Sequence, residues 1–246
     1  NEVLIITAGV DTQPDRLEVE SIGWGVGERS WSIEQRVFYG NPDLKEGEPG
    51  SPWTEFTEWR NTTYENAAGV EIPIWGACVD SGGWNTQAVY DYCRTHKAER
   101  VFCIKGGSGE DIPVVSAPRR RRTGKTKRSV DLFIVGVDQV KTMLMNALEV
   151  KEPERARYCH FPVGRTLDWF SQLTAEKRVV ERDKRGYSRR VWKLIDGRRN
   201  EALDCRVYGW ACLYLARANW EKLAERMNKL VSEVKITIEP ENEQDK

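Results

Sequence analysis

Apolar and β-branched residues run from Val3 to Val10 and stop at Asp11. From Leu17 to Val26 the pattern alternates, with Leu17, Val19 and Ser21 on one side and Glu18, Glu20, Ile22 and Trp24 on the other, and a further extended stretch runs from Trp31 to Phe38. A period of two marks strands. The polar links 12–16 and 27–30 have hairpin length, so the opening predicts a three-stranded antiparallel meander. The Gly- and Pro-rich stretch 40–52 interrupts the sheet pattern, and Trp53, Phe56 and Trp59 then recur every third residue, as on one face of a short helix. Ile72 to Val79 is a second apolar run closed by an acid, Asp80. Ser81, Gly82 and Gly83 give it a tight exit, and Asn85 is placed to cap a helix reaching about His96, with Val89, Tyr92 and Cys93 on one side.

A short strand is predicted from Val101 to Lys105. The stretch from Gly106 to Ser129 has no apolar periodicity and reads as a flexible loop, after which Asp131–Val137 fits a strand and Asp138–Leu148 a helix. Trp169 and Phe170 fall in a short helical piece. Val179–Glu181 and Arg190–Ile195 bracket Lys184, Arg185 and Gly186 as a charged hairpin. The clearest helix is Glu201–Trp220, with Leu203, Val207, Trp210, Leu213 and Leu215 as its apolar face and Asn200 as its N-cap. Met227 and Leu230 prolong helical character, and Val234–Ile238 fits a late edge strand. Strands alternating with helices after an antiparallel opening predict an α/β fold with a mixed central sheet and flanking helices. No linker separates two self-sufficient halves, so we expect one domain, with its core at about 3–220 and a C-terminal extension over 221–246.

The composition, 39% hydrophobic and 31% charged with ten Trp and eight Tyr over 246 residues, excludes disorder throughout. No apolar run approaches eighteen residues and the opening does not resemble a signal peptide, so no membrane partner is expected. The chain opens on Asn1 rather than Met, which predicts that it was cut from a longer protein. The 38 basic and 38 acidic side chains cancel, which removes any global electrostatic case for nucleic acid. Local sorting restores one. Arg119, Arg120, Arg121, Arg122, Lys125, Lys127 and Arg128 form a basic block, Arg182, Lys184, Arg185, Arg189 and Arg190 a second strip, and the tail from Glu239 is acidic. Arg and Lys so clustered suit contact with a phosphate backbone, although a solvated loop has the same composition. Six Cys without CxxC are expected as buried free thiols. Cys93 with His96 and Cys159 with His160 supply zinc-type ligands at spacings that match no standard finger. Thr123, Gly124, Lys125 and Thr126 fail as a phosphate loop, because Arg119 stands where the first Gly is required.

The candidate chemistry lies in four acids. Asp11 and Asp80 each end a strand, and Glu201 and Asp204 share the first turn of the late helix. If the first and fourth strands are neighbours, as in an RNase H-type sheet, both aspartates leave the same sheet end and the late helix carries its acids across them. Each residue alone also fits an ordinary turn or helix-start acid. Gathered carboxylates repel and persist mainly when a cation compensates them, and an all-oxygen set suits Mg²⁺ or Mn²⁺. Lys105, at a strand end close by, suits a phosphate or a plain surface.

The segments VLIITAGVD at 3–11 with TQPDRLEVE behind it, IWGACVDSGG at 74–83 and RRNEALDCRVYGWA at 198–211 resemble the nuclease domain of tailed-phage terminase large subunits of the phage lambda type. The likeness runs in order along nearly the whole chain. It implies an RNase H-like fold whose acids, here Asp11, Asp80, Glu201 and Asp204, bind two divalent ions and cut double-stranded concatemeric viral DNA when packaging starts and ends. The resemblance makes Glu201 the helix acid and expects it to matter more for catalysis than Asp204, a second acid one turn later; many terminases have Asp where this chain has Glu201, which leaves open which of the two is the direct ligand. The resemblance also implies an upstream ATPase domain, a terminase small subunit and a portal protein as partners, in the cytoplasm of the infected bacterial host. A structure-selective nuclease or integrase-like strand-transfer enzyme and a non-catalytic DNA-binding packaging module are the alternatives.

Overall fold

The computed structural model describes residues 2–83, 85–123, 128–182 and 186–238. The meander forms as β1 (Ile5–Thr12), β2 (Arg16–Trp24) and β3 (Ser30–Tyr39), followed by α1 (Pro52–Arg60), β4 (Thr63–Glu65), β5 (Glu71–Asp80), α2 (Thr86–Thr95) and β6 (Val101–Gly107). Then come β7 (Arg119–Thr123), β8 (Arg128–Gly136), α3 (Val137–Leu148), β9 (Cys159–His160), α4 (Leu167–Leu173), β10 (Glu176–Arg182), β11 (Ser188–Leu194), α5 (Glu201–Ala216) and α6 (Trp220–Ile238). Among the described residues one mixed sheet has the order β7-β8-β6-β5-β1-β2-β3-β9, with β4 paired to β5, and β10 and β11 form a separate ribbon. The expected meander and the parallel pairing of β5 with β1 are both present, and the flanked mixed sheet is an RNase H-like α/β architecture.

Strand parity divides the apolar side chains between two layers. Ile6, Ala8, Val10, Leu17, Val19 and Val79 meet the aromatic face of α1, Val89, Tyr92 and Cys93 of α2, and Met227 of α6. Ile5, Ile22, Trp24, Cys78, Ile104 and Val135 meet α3, α4 and α5 on the opposite face. All six Cys are free and buried. Cys93 and Cys159 lie in opposite layers, while His96 bonds Glu46 and Glu99 and His160 stacks on Trp31.

Four local expectations are corrected. The stretch read as a loop from Gly106 to Ser129 contains β7 and the start of β8, paired antiparallel from Arg119↔Leu132 to Thr123↔Arg128. An edge strand of successive arginines has no apolar alternation to betray it. Val234–Ile238 is the end of α6 rather than a strand, because Met227, Leu230, Val231 and Val234 recur at helical spacing against the α1–α2 layer. The late helix stops at Ala216, where Arg217 turns left-handed (φ 48°), and α6 starts anew. Asn85 and Asn200 occupy N-cap positions without capping through their side chains: Asn85 Nδ2 donates to the Gln13 carbonyl and Asn200 Nδ2 to Glu176 and Asp204. No helix among the described residues is long and apolar enough to cross a membrane.

What places the site is the way α5 lies on β1. A Cβ added at Gly9 would sit 1.8 Å from the Cys205 carbonyl oxygen and 2.5 Å from Gly209 N, so strand and helix backbones touch where neither carries a side chain. Polar groups lock the contact: Thr7 Oγ1 donates to the Gly209 carbonyl (2.8 Å), Trp24 Nε1 donates to Thr7 Oγ1 (2.8 Å), and Cys205 Sγ donates to the Glu18 carbonyl (3.2 Å). Buried polar groups satisfied in this way rigidify their surroundings. Gly9→Ala should therefore drive α5 off the sheet. The expected cost is about 3 kcal/mol, a fall in Tm of roughly 6–12 °C, with near-ultraviolet circular dichroism reporting the displaced Trp24 and Trp210; an unchanged Tm would show that the contact is slack.

Candidate active site

Register and parity bring the first two acids together. Gly9 pairs with Cys78 and Val10 with Val79 across parallel β1 and β5, so Asp11 and Asp80, one step further, end adjacent strands. Both have the parity of Gly9 and Cys78 and face α5, and neighbouring strands lie about 4.8 Å apart. Asp11, Gln13, Asp80, Gly82, Lys105 and Tyr208 line one open pocket of about 410 Å³ at this sheet end. Cys205 and Gly209 anchor α5 over Gly9, which carries its first turn, with Glu201 and Asp204, toward Asp11.

Burial pushes the Asp11 carboxyl well above the usual carboxylate range, with Asp204 the strongest charge acting the same way and Asp80 and Glu201 adding to it, against a 2.6 Å hydrogen bond from Gln13. Burial raises Asp80 to about 6, opposed by the Gly82 and Ser81 backbone and by Lys105. Its Oδ1 is buried without a hydrogen-bond partner. Asp204 is raised to about 7, chiefly by burial, with Lys141 opposing and Glu176, Asp80 and Glu201 reinforcing. The buried Tyr208 phenol is pushed up by burial and then by Asp204, Asp80 and Asp11. Three carboxyls from β1, β5 and α5 thus share one field with too little positive charge to balance them.

Glu201 belongs to a different set. Its carboxylate accepts from Arg199 Nε (3.0 and 3.2 Å) and from Arg16 Nη2 (3.1 Å), while Arg16 Nε and Arg199 Nη2 both donate to Glu18 Oε1 (2.8 and 2.6 Å). Two arginines and two glutamates close a neutral ring beside the pocket. Among the described residues no group of three His, Cys, Asp or Glu is set to hold a metal ion.

Sequence reading missed Glu18, Arg16, Arg199, Lys141 and Glu176. One signal was present: alternation puts Glu18 and Glu20 on the Ile22–Trp24 side, so they had to be acids on a buried face. Lys141 likewise interrupts the α3 stripe Val137, Leu144 and Leu148. Lys141 Nζ bonds Glu176 Oε1 at 2.7 Å and lies 3.8 Å from Asp204 Oδ1.

The two basic blocks sit differently. β8 is level with β6 and β5 through Phe133, Ile104 and Asp80, so Arg119, opposite Leu132, lies near the acid end. From there β7 runs away to Thr123, opposite Arg128, about 13 Å along the sheet edge. Arg119, Arg120 and Arg121 are exposed. Lys125 and Lys127 lie outside the described residues, as do Lys184 and Arg185, and Arg122 and Arg128 are placed by backbone alone. The β10–β11 ribbon is rooted at the acids through Glu176 and carries exposed Arg182, Arg189 and Arg190.

The raised carboxyls fix a pH dependence. Asp204 holds a proton in the folded chain up to pH about 7, whereas in the unfolded chain it releases it near pH 4. The folded state binds more protons between these values, so stability falls as pH rises from about 4 to about 7. Asp204→Asn should abolish that share: in EDTA it should exceed the parent by about 4 kcal/mol at pH 8 and match it below pH 4, as read from urea unfolding at a series of pH values. A pH-independent difference would refute the assignment.

The model of the terminase large subunit gpA endonuclease domain matches residues 1–227. The chain is 36% identical over 228 residues to the large terminase subunit of Escherichia phage lambda, covering 90% of this chain and 34% of that protein. It is 33% identical over 227 residues to the large terminase subunit of Enterobacteria phage P21, covering 89% of this chain and 34% of that protein. The chain thus spans about a third of the length of these curated relatives, and no solved structure matches it. With an RNase H-like sheet, acids gathered at its end and a match along nearly its whole length, the chain belongs to the endonuclease-domain family of terminase large subunits.

Proposed function

We propose that this domain is a divalent-metal-dependent endonuclease that cleaves double-stranded concatemeric viral DNA during genome packaging. The observation that carries the proposal is that Asp11 and Asp80 line one pocket and Asp204, from a third element, acts on both through the same field, all three buried or nearly so and all raised. The donor set fits Mg²⁺ or Mn²⁺: it is all oxygen, it has excess negative charge, and Asp80 Oδ1 is an orphaned buried acceptor. Asp11, Asp80 and Asp204 would hold the ions, with Glu201 available once it leaves Arg16 and Arg199. A bound pair of ions supplies the charge that activates a water for in-line attack on phosphorus and stabilises the departing 3′ oxyanion.

The chain's own residues arrange the rest. Gln13 orients the Asp11 carboxylate, Lys105 offers a cation to a phosphate at the pocket wall, and Tyr208 lines the pocket beside them. The basic ribbon holds the sugar-phosphate backbone beside the acids, and the Arg119–Arg128 block extends that track along the sheet edge. Family membership supports a setting in the infected host's cytoplasm, with an ATPase module of the longer protein, the small terminase subunit and the portal as partners.

Asp11→Asn, Asp80→Asn and Asp204→Asn should each lower Mn²⁺-dependent cutting of supercoiled duplex at least about a hundredfold while leaving duplex binding in Ca²⁺ intact. Glu201→Gln should lose less. Parental cutting by any of the three aspartate variants would remove that residue from the site, and binding without cutting by the parent would favour a non-catalytic packaging module.

Replacing Arg182, Arg189 and Arg190 together with Ala should weaken binding to unrelated duplexes alike and lower the slope of log affinity against log salt by up to about 0.9 per lost phosphate contact. The same replacement at Arg119, Arg120 and Arg121 tests the edge track, and an unchanged slope would return either block to plain solvated surface.

A further inference from the structure

Lys141 is a buried ammonium that the chemistry above does not use. It is 7% exposed on α3, its Nζ donates to Glu176 Oε1, and it lies within ion-pair distance of Asp204. Burying such a charge costs several kcal/mol, and an apolar side chain would serve packing alone at least as well.

The surroundings show what the charge does. Asp204 Oδ1 faces Lys141 at 3.8 Å, and its Oδ2 accepts from Asn200 Nδ2 at 2.9 Å, so both oxygens are held from behind. Those two partners are themselves set by one atom: Glu176 Oε1 accepts from Lys141 Nζ at 2.7 Å and from Asn200 Nδ2 at 3.1 Å. Glu176 is the first residue of β10, and the Ile195 N–H donates to the Ala175 carbonyl to close the root of the ribbon. Trp192 Nε1, on β11, donates to the Asp138 carbonyl in the first turn of α3 at 3.1 Å. The ribbon therefore grips the same helix that carries Lys141.

We propose that Lys141 is a positioning residue for the nuclease reaction: with Glu176 and Asn200 it fixes the Asp204 carboxylate, and through Glu176 it ties that carboxylate to the root of the basic β10–β11 ribbon. The inference rests on the nuclease reading and adds a residue to it. Lys141 touches neither substrate nor ion; it acts through Asp204. Partners that orient a metal-binding carboxylate from behind commonly change activity or metal affinity 10–100-fold when removed.

The test compares the parent chain with Lys141→Met, Glu176→Gln, Asp204→Asn and the double variant Lys141→Met/Asp204→Asn. The readouts are Mn²⁺ binding without DNA, Tm, and kcat and KM for duplex at saturating Mn²⁺. Lys141→Met should lower kcat and weaken Mn²⁺ binding about 10–100-fold with little change in KM. In the Asp204→Asn background it should weaken Mn²⁺ binding by less than about twofold. Glu176→Gln, which keeps the side-chain shape, should follow Lys141→Met and provides the reading if the Met variant shows no cooperative melting. Parental kcat and Mn²⁺ affinity in both single variants would overturn the proposal. So would a full additional loss on top of Asp204→Asn, or a gain in Mn²⁺ affinity of the kind that removal of a competing cation alone produces. A parent that neither binds Mn²⁺ nor cuts would instead overturn the nuclease reading, and this inference with it.

Discussion

The contact between β1 and α5 at Gly9 and Gly209 is the constraint on which the rest of the molecule depends. Backbones meeting without side chains between them fix the height of the helix above the sheet, and Thr7 and Trp24 fix its position along the strand. Its rotation is fixed by a second device. Arg206 and Glu20, both 1% exposed, pair at 2.6 Å, and Ser32 Oγ donates to the same carboxylate oxygen at 2.6 Å. A buried pair of this kind adds little net stability, but removal of one partner strands the other. With height, register and rotation set, the first turn of α5 has one place to go, and Asp204 comes near Asp11 and Asp80 as a geometric consequence.

The same helix turn separates two electrostatic regimes a few side chains apart. Glu201 and Glu18 are neutralised by Arg16 and Arg199, whereas Asp80 is opposed by Lys105 and Asp204 by Lys141 from the edges. The first group holds the end of the helix to β2. The second is under electrostatic stress in the metal-free chain, which is the condition a cation-binding site requires.

How much of this was legible in the sequence follows from the range of each interaction. The meander, the α1 aromatic face and the strand-end acids are written in periods of two and three residues, and the structure places these elements where the pattern puts them. β7 was illegible because a strand exposed on both faces has no hydrophobic period. The end of α6 was misread because Val234, Ile236 and Ile238 alternate like a strand, while the contacts that decide the matter come from Met227 and Leu230. The gathering of Asp11 and Asp80 was foreseeable only on the condition that their strands pair. Lys141 with Glu176, Arg206 with Glu20 and Arg199 with Glu18 join residues 35, 186 and 181 positions apart, and no local pattern encodes such partners. The basic edge has a further structural use: arginines along β7 discourage another copy's strand from pairing with its free side.

The bond from Thr7 to Gly209 spans 202 positions of the chain. Contacts of such separation form late, because the loop they close must be ordered first, and β1 also waits for β5 before its parallel neighbour exists. A ribosome delivers Asp11 and Asp80 long before it delivers Asp204, and α5 can dock only after its last turn has left the exit tunnel. Domain folding during synthesis proceeds from the N-terminus. The nascent chain therefore presents Asp11 and Asp80 before the helix that brings Asp204 beside them, so this group of carboxyls is completed late in folding.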